Sequence, residues 1–144
     1  MTAPARTLIL PAPLAARILD HAARASAAEC CGLLIGGGEG DIRVAEIAPA
    51  ANCAADPTRR FEIDPQVQFD WLRRLRGSRR RIVGHYHSHP GGPATPSAHD
   101  LAMAHDPEAI WVIAVPRPLA RLAAFQCPDP ARGFVPVPIT TDVS

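Results

Sequence analysis

Gly84-His85-Tyr86-His87-Ser88-His89-Pro90 is the stretch of this sequence on which the predictions of both fold and chemistry depend. The run Arg80–His89 is predicted to form a strand, which Pro90 ends. Side chains two residues apart on a strand lie on the same face, so His87 and His89 project side by side. The pattern therefore predicts two imidazoles together at the end of a strand, where they can bind one metal ion.

A short helix is predicted directly downstream, from Ser97 to His105, after a proline-rich loop over Pro90–Pro96. Ser97 with Asp100 three residues later is a typical helix-capping pattern, and capping alone accounts for the pair. Asp100 also lies on the first helical turn, so it can bind a metal through one oxygen and support the cap with the other. Two imidazoles and a carboxylate supply three ligands and leave a fourth tetrahedral position open, as in catalytic zinc sites.

The other histidines offer a competing ligand set, because His85 lies on the same strand face as His87 and His89. Three successive ligands on one strand spread over about 13 Å, however, and one zinc ion cannot span that distance. We therefore predict that His85 is buried or supports the ligands from behind. His99 and His105 are predicted to be solvated or at a helix end.

The remaining sequence predicts an α+β fold in which a mixed sheet is covered by helices. Apolar spacing predicts helices from Pro13 to about Ala27 and from Pro65 to Gly77, in addition to Ser97–His105. The other predicted strands are Thr7–Leu10, Cys31–Ile35, Ile42–Ala48, Phe61–Ile63, Ala109–Val115, Leu119–Gln126 and the extended segment Phe134–Thr140.

Length and composition limit the classes of protein this chain can belong to. Its 144 residues predict a single domain over residues 1–144. No apolar run approaches the ~18 residues of a membrane span, and the net charge of +1 argues against a nucleic-acid partner. The four cysteines form no C-x-x-C pair, which predicts buried, reduced thiols and a cytoplasmic protein. An arginine cluster between Arg73 and Arg81 is either a solvated helix end or a docking site for an acidic partner.

The motifs together resemble the JAMM (MPN-plus) metalloprotease family. That family's signature is His-Ser/Thr-His-Pro, then ten residues including a serine, then aspartate. It is matched here by His87-Ser88-His89-Pro90 and Asp100, with Ser97 as the serine. The family also has a glutamate before a Gly-Leu-Leu motif, matched by Glu29-Cys30-Cys31-Gly32-Leu33-Leu34. Asn52 and Arg60–Pro65 resemble the short prokaryotic members as well.

The resemblance implies a fold, a cofactor and a role for each matching residue. The fold would be a curved, mainly antiparallel mixed sheet with two or three packing helices, similar to that of cytidine deaminases. His87, His89 and Asp100 would bind one catalytic Zn²⁺. Glu29 would hold and deprotonate the water and pass its proton to the leaving amine, and Ser97 would hydrogen-bond the developing oxyanion.

The same resemblance implies a substrate. The short prokaryotic members act on ubiquitin-like sulfur-carrier proteins, so we expect a zinc metallopeptidase or isopeptidase that cleaves the bond after a C-terminal Gly-Gly. An extended carrier tail could add as a strand to Phe61–Ile63. The alternative is a non-catalytic MPN-type binding module that uses the same cleft to hold a carrier.

Overall fold

The computed structural model describes residues 6–141 and consists of one eight-stranded mixed sheet with helices on both faces. The elements in chain order are β1 (Leu8–Ile9), α1 (Ala12–Arg24), β2 (Cys31–Gly37), β3 (Ile42–Ala50), α2 (Pro65–Arg74), β4 (Arg81–Ser88), α3 (Ala98–Ala102), β5 (Ile110–Val115), β6 (Arg121–Asp129), β7 (Gly133–Val137) and β8 (Ile139–Thr140). The predicted α+β class is therefore confirmed.

The sheet has the strand order β7-β6-β5-β4-β2-β3-β1-β8. The long pairs β2–β3, β2–β4, β5–β6 and β6–β7 are antiparallel, whereas β4–β5 and the two short pairs of β1 are parallel. The mainly antiparallel mixed sheet that the resemblance implied is confirmed. Its centre is the pair β2–β4. β2 begins two residues after Glu29, and β4 carries His87 and ends one residue before His89.

One face of the sheet is covered by α1. The helix follows Pro11 and turns its buried residues Ala15, Ile18 and Ala22 onto the sheet. They join a large apolar cluster that includes Leu34 of β2 and Tyr86 of β4. Tyr86 is completely buried on this face, so its neighbours His85 and His87 must face the opposite side.

The opposite face carries α2 and α3. Pro65 is the first residue of α2, as predicted, and Asp64 caps the helix by accepting a hydrogen bond from the Gln66 amide at 3.0 Å. Trp71 packs with neighbouring apolar residues of β2. The helix ends at Arg74, and Gly77 forms the following turn with a φ of 73°. This arrangement places both histidines of the motif under the loop that precedes α2 and beside α3.

Four local predictions are corrected. Phe61–Ile63 is not a strand, because only Ile63 forms a single bridge, with Asn52. The helix predicted over Ser97–His105 spans only Ala98–Ala102. Cys53 is exposed, whereas the other three cysteines are buried free thiols as predicted. The strand predicted over Leu119–Gln126 is β6, displaced toward the C-terminus.

The surface predictions remain hypotheses. The side chains of the cluster between Arg73 and Arg81 are exposed, and their use for docking an acidic partner protein stays a prediction. In the described part of the chain, no helix has the length and apolar character needed to cross a bilayer.

Candidate active site

The antiparallel register of β2 and β4 brings the two motifs together. Cys31 pairs with His87, and the ladder continues where the Ser88 amide donates to the Cys30 carbonyl at 3.0 Å. The Ser88 hydroxyl oxygen in turn accepts from the Cys30 amide at 2.8 Å. One step further along this register, Glu29 comes beside the end of the histidine strand. Two motifs almost sixty residues apart in sequence thus share one strand end.

Three potential ligand atoms converge there. His87 Nε2 and His89 Nε2 are 3.1 Å apart, and Asp100 Oδ2 lies 3.3 Å from each of them. Ligand atoms of a tetrahedral zinc with bonds of about 2.0–2.1 Å lie about 3.3–3.4 Å from one another. The triangle formed by the three atoms is close to one face of that tetrahedron. The residues present therefore fit a divalent metal ion bound through two imidazoles and a carboxylate.

The imidazole of His89 is oriented by a backbone contact. Its Nδ1 lies 2.9 Å from the Pro93 carbonyl oxygen, which accepts a hydrogen bond when Nδ1 carries the proton. That tautomer leaves the Nε2 lone pair free to point at the cluster, as in metal-binding histidines. The loop predicted between Pro90 and Pro96 thus serves to orient a ligand.

His87 is held differently. Its Nδ1 is buried and has no hydrogen-bond partner among residues 6–141. The ring is instead packed by its neighbours, with Phe61 stacked on it and Trp111 edge-on at a centroid distance of 6.0 Å. The orientation of this ligand therefore depends on packing.

Asp100 uses a single oxygen for two purposes. Its Oδ2 accepts from the Ser97 amide at 2.9 Å and is also the atom that approaches both histidines. The cap thus uses the oxygen that faces the histidines, whereas the sequence predicted that the cap and the metal would use different oxygens. Ser97 Oγ completes the capping box by accepting from the Asp100 amide at 3.0 Å. This contact uses a lone pair of Ser97, so its hydroxyl hydrogen remains able to donate to another group.

The electrostatics of the cluster suit a cation. Burial acts to raise the pKa of Asp100, but the adjacent imidazoles of His87 and His89, together with the hydrogen bond from the Ser97 amide, outweigh it and hold that pKa well below its usual range. Burial lowers the pKa of His87 despite the opposing carboxylate. The site thus combines an ionised aspartate with one imidazole, that of His87, that resists protonation. Burial also acts to lower the pKa of His89, but its contacts with Asp100 and the Pro93 carbonyl raise that pKa, so a metal must displace a proton more readily held there.

The Glu29 carboxylate lies beside this triangle. One of its side-chain oxygens lies within 4.8 Å of ligand atoms of both His87 and His89. Oε1 is buried and has no hydrogen-bond partner in the described part of the chain. Burial raises the pKa of Glu29 to about 7, with the charge of Asp100 adding to the effect and His89 opposing it. A carboxylate with such a pKa can both accept and release a proton near neutral pH.

The cluster opens on a groove of about 410 Å³. Its lining includes Arg59 from the loop before α2, Pro93 and Ser97 from the loop before α3, and the two site residues Glu29 and His89. Glu29 and Ser97, the two catalytic residues that the family resemblance implied, thus line the same groove. A substrate in this groove would meet both groups.

His85 does not join the cluster. Its ring centroid is 6.5 Å from that of His87, and it packs edge-on against Trp111 at 4.4 Å. Burial lowers the pKa of His85 to about 3. The three-histidine site considered from the sequence is therefore not formed, and the prediction that His85 is a buried or supporting residue is consistent with its packing. His99 is half-buried and His105 exposed.

Residues 11–127 match the family described as prokaryotic homologs of the JAB domain. The chain belongs to this family. The match covers both motifs and nearly all of the elements that form the site, so the predicted resemblance to JAMM proteins is confirmed.

Individual relatives extend the comparison. The chain is similar to a desampylase from Haloferax volcanii, with 36% identity over 69% of this chain and 73% of the relative. It is also similar to the CysO-cysteine peptidase from Mycobacterium tuberculosis, with 32% identity over 74% of this chain and 71% of the relative. Among solved structures, one protein of Desulfitobacterium hafniense shares 29% identity and superposes with a TM-score of 0.83, over 96% and 94% of the two chains.

Two contributions to the site were missed by sequence reasoning. Phe61 was assigned to an edge strand, yet its ring covers a ligand. Asn52 was noted only as part of the resemblance, yet it is bonded to the backbone of Glu29 at 2.9 Å. Neither residue type signals such a role by itself, and the one available signal was the match of both to the prokaryotic members of the family.

Proposed function

We propose that this protein is a zinc-dependent peptidase or isopeptidase that hydrolyses the bond after the C-terminal Gly-Gly of a ubiquitin-like or sulfur-carrier protein. The observation that carries the proposal is the triangle of His87 Nε2, His89 Nε2 and Asp100 Oδ2 with the unpaired Glu29 carboxylate beside it. A structural metal site would instead be closed by a fourth protein ligand.

In this proposal His87, His89 and Asp100 hold one zinc ion. Two nitrogens and a carboxylate oxygen form a donor set that zinc commonly takes in hydrolases. When bound, zinc would supply Lewis-acid chemistry, which makes water more acidic and polarises a carbonyl group.

Glu29 and Ser97 would perform the proton transfer and the charge stabilisation. The Glu29 carboxylate accepts a proton from the attacking water, whose oxygen forms the new bond to the scissile carbonyl carbon. As the carbon–nitrogen bond breaks, Glu29 passes this proton to the departing amine. The Ser97 hydroxyl donates a hydrogen bond to the carbonyl oxygen as negative charge develops on it, a contribution worth about 2.7–4 kcal/mol where such donors have been removed in other enzymes.

The substrate class rests on the family and on the groove. The names of the relatives, desampylase and CysO-cysteine peptidase, agree with a small protein whose C-terminal linkage is cleaved. Arg59 and Pro93 both line the groove, and glycine residues at the end of an extended tail would enter it without side-chain clashes. The expected cytoplasmic location stays a prediction.

The proposal is tested by incubating zinc-loaded protein with a carrier that ends in Gly-Gly and is joined to a peptide, to a lysine side chain or to cysteine. Mass spectrometry should show a carrier shortened to Gly-Gly from at least one adduct. Glu29→Gln should bind zinc as the wild type does and lose cleavage, whereas Glu39→Gln, which changes an exposed glutamate, should cleave normally.

Two outcomes would contradict the proposal. Full activity of Glu29→Gln would remove Glu29 from the reaction. A wild-type protein that binds zinc and all three adducts but cleaves none would indicate the alternative, a non-catalytic binding module.

A further inference from the structure

The segment Asn52–Ile63, here called the Asn52 loop, closes on itself next to Glu29. The Asn52 side-chain oxygen accepts from the Ala54 amide at 3.0 Å and from the Glu62 amide at 3.1 Å. The Cys53 amide donates to the Glu62 carbonyl at 2.8 Å, and Asn52 forms a bridge with Ile63. The side-chain oxygen of Asn52 therefore joins the two ends of the loop.

The side-chain nitrogen of Asn52 reaches the backbone of Glu29. Asn52 Nδ2 donates to the Glu29 carbonyl at 2.9 Å and to the Arg60 carbonyl at 3.0 Å. The Glu29 amide donates to Pro57, in the same loop, at 2.7 Å. The backbone N–H and C=O groups of Glu29 are thus both hydrogen-bonded to the Asn52 loop. They need such partners because Glu29 lies just before β2 begins at Cys31.

The Asn52 loop also carries Phe61, the ring that stacks on His87. A shift of the loop would therefore disturb the glutamate and a metal-ligand candidate together. Asparagine suits this position because it offers two donors and an acceptor on one short side chain. Aspartate keeps the acceptor and loses both donors, and alanine loses all three.

We infer that Asn52 is a positioning residue. It holds Glu29 in place and does not touch the substrate itself. The inference rests on the proposed function, because it assumes that Glu29 transfers the proton. Proton transfer requires the carboxylate at hydrogen-bond distance from the reacting atoms, and a misplacement of about 1 Å can reduce a rate about 100-fold. Oε1 of Glu29 has no hydrogen-bond partner among residues 6–141, so the position of this side chain depends on its backbone.

The first test measures hydrogen exchange of backbone amides in the metal-free protein. In Asn52→Ala, the amides of Glu29 and Glu62 should both exchange at least tenfold faster than in the wild type. In Asn52→Asp, the Glu62 amide should stay protected, since its acceptor remains. The Glu29 amide donates to the Pro57 carbonyl and should be released, because a carboxylate oxygen in place of Asn52 Nδ2 would repel the carbonyl oxygens of Pro57 and Glu29. Cys53→Ser, which changes the exposed neighbouring side chain, is the matched control and should leave both rates unchanged.

The second test measures cleavage of the carrier adduct well below the unfolding temperature of each variant. At saturating zinc, Asn52→Ala and Asn52→Asp should both lower kcat about 10- to 100-fold, with KM within about twofold of the wild type. Because Asn52 acts through Glu29, adding Asn52→Ala to Glu29→Gln should cause no further loss. A merely structural role would lower the unfolding temperature and multiply the two losses.

The inference is overturned if Glu29 exchange is unchanged in both Asn52 variants, or if the losses from Asn52→Ala and Glu29→Gln multiply. It is also overturned if kcat of the folded variants equals that of the wild type. A wild-type protein that cleaves no adduct would refute the proposed function separately. The exchange rates would then still decide whether Asn52 fixes the Glu29 backbone.

Discussion

The ring of Phe61 lies flat on the imidazole of His87, with the ring centroids 4.2 Å apart and the planes 18° from parallel. His87 is completely buried, and within the described part of the chain its Nδ1 has no counterpart of the hydrogen bond that orients the His89 imidazole. Most metal-binding histidines are oriented by a polar partner on the second ring nitrogen. Here an aromatic ring from a loop takes over that task for one of the two histidines.

Phe61→Ala should therefore weaken zinc binding by about tenfold, the lower end of the range seen when the support of a metal ligand is removed. The free energy of unfolding should fall by about 1–3 kcal/mol, less than for a fully buried phenylalanine, because Phe61 is only half-buried. Zinc affinity can be measured by competition with a chromophoric chelator, and stability by urea unfolding.

Phe69→Ala is the matched control for that experiment. Phe69 lies on α2 with 60% of its surface exposed, so its loss should change neither zinc affinity nor stability by more than about 0.5 kcal/mol. Equal zinc affinity in Phe61→Ala and the wild type would show that the stacked ring does not orient His87.

Zinc should raise the unfolding temperature of the wild-type protein. A ligand that binds only the folded state stabilises it by about 2.7 kcal/mol at 100 times its dissociation constant, which corresponds to about 5–10 °C for a chain of this size. Differential scanning fluorimetry with zinc and then with a chelator measures the rise and its reversal. His89→Ala should lose the rise, and the exposed His105→Ala should keep it. A rise of equal size in His89→Ala would contradict the proposed ligand set.

The ligands of the site could be predicted from the sequence because their arrangement follows local rules. Spacing of two on a strand fixes His87 beside His89, and a capping pattern fixes Asp100 on the first turn of α3. Glu29 could not be placed by such rules, because its position depends on the register between β2 and β4, which is a tertiary property. Family resemblance alone identified it in advance.

The error at Phe61–Ile63 has a physical cause of the same kind. Alternating apolar residues predict a strand, but here the hydrogen bonds of the segment go to the side chain of Asn52 as well as to backbone groups. Asparagine competes with regular secondary structure in this way, and a sequence pattern does not show which backbone groups it will reach. The loop, and with it the stacking of Phe61, could be found only from the folded structure.

The partial burial of His21 should make stability depend on pH. His21 Nδ1 lies 2.8 Å from the Tyr86 hydroxyl, and burial, with the nearby charge of Arg24, lowers the pKa of His21 below its ordinary value of 6.5. The unfolded chain therefore takes up this proton first as the pH falls. The stability that His21 contributes is fully present above about pH 6.5 and is lost below it, toward the folded-state pKa.

Urea unfolding of the wild type and His21→Gln at several pH values isolates this contribution. The advantage of the wild type over His21→Gln should shrink between pH 7 and pH 5, because glutamine does not titrate. A difference in the free energy of unfolding that stays constant over this range, or that grows on acidification, would contradict the assignment.

The close approach of β4 and β5 at Gly84 leads to a last prediction. Gly84 pairs with Ile110, and a Cβ atom at Gly84 would stand far inside van der Waals contact of the Ile110 backbone. Gly84→Ala should therefore force the two strands apart, lower the free energy of unfolding by about 1–3 kcal/mol and lower the unfolding temperature by several degrees. The displacement would reach the histidine pair at the far end of β4, so zinc affinity should fall too.

Gly40→Ala, where an added Cβ meets nothing within 4 Å, should leave both quantities nearly unchanged. Equal stability of the two variants would mean that β4 and β5 tolerate a wider spacing, and that the position of the histidine motif is set by β2 alone.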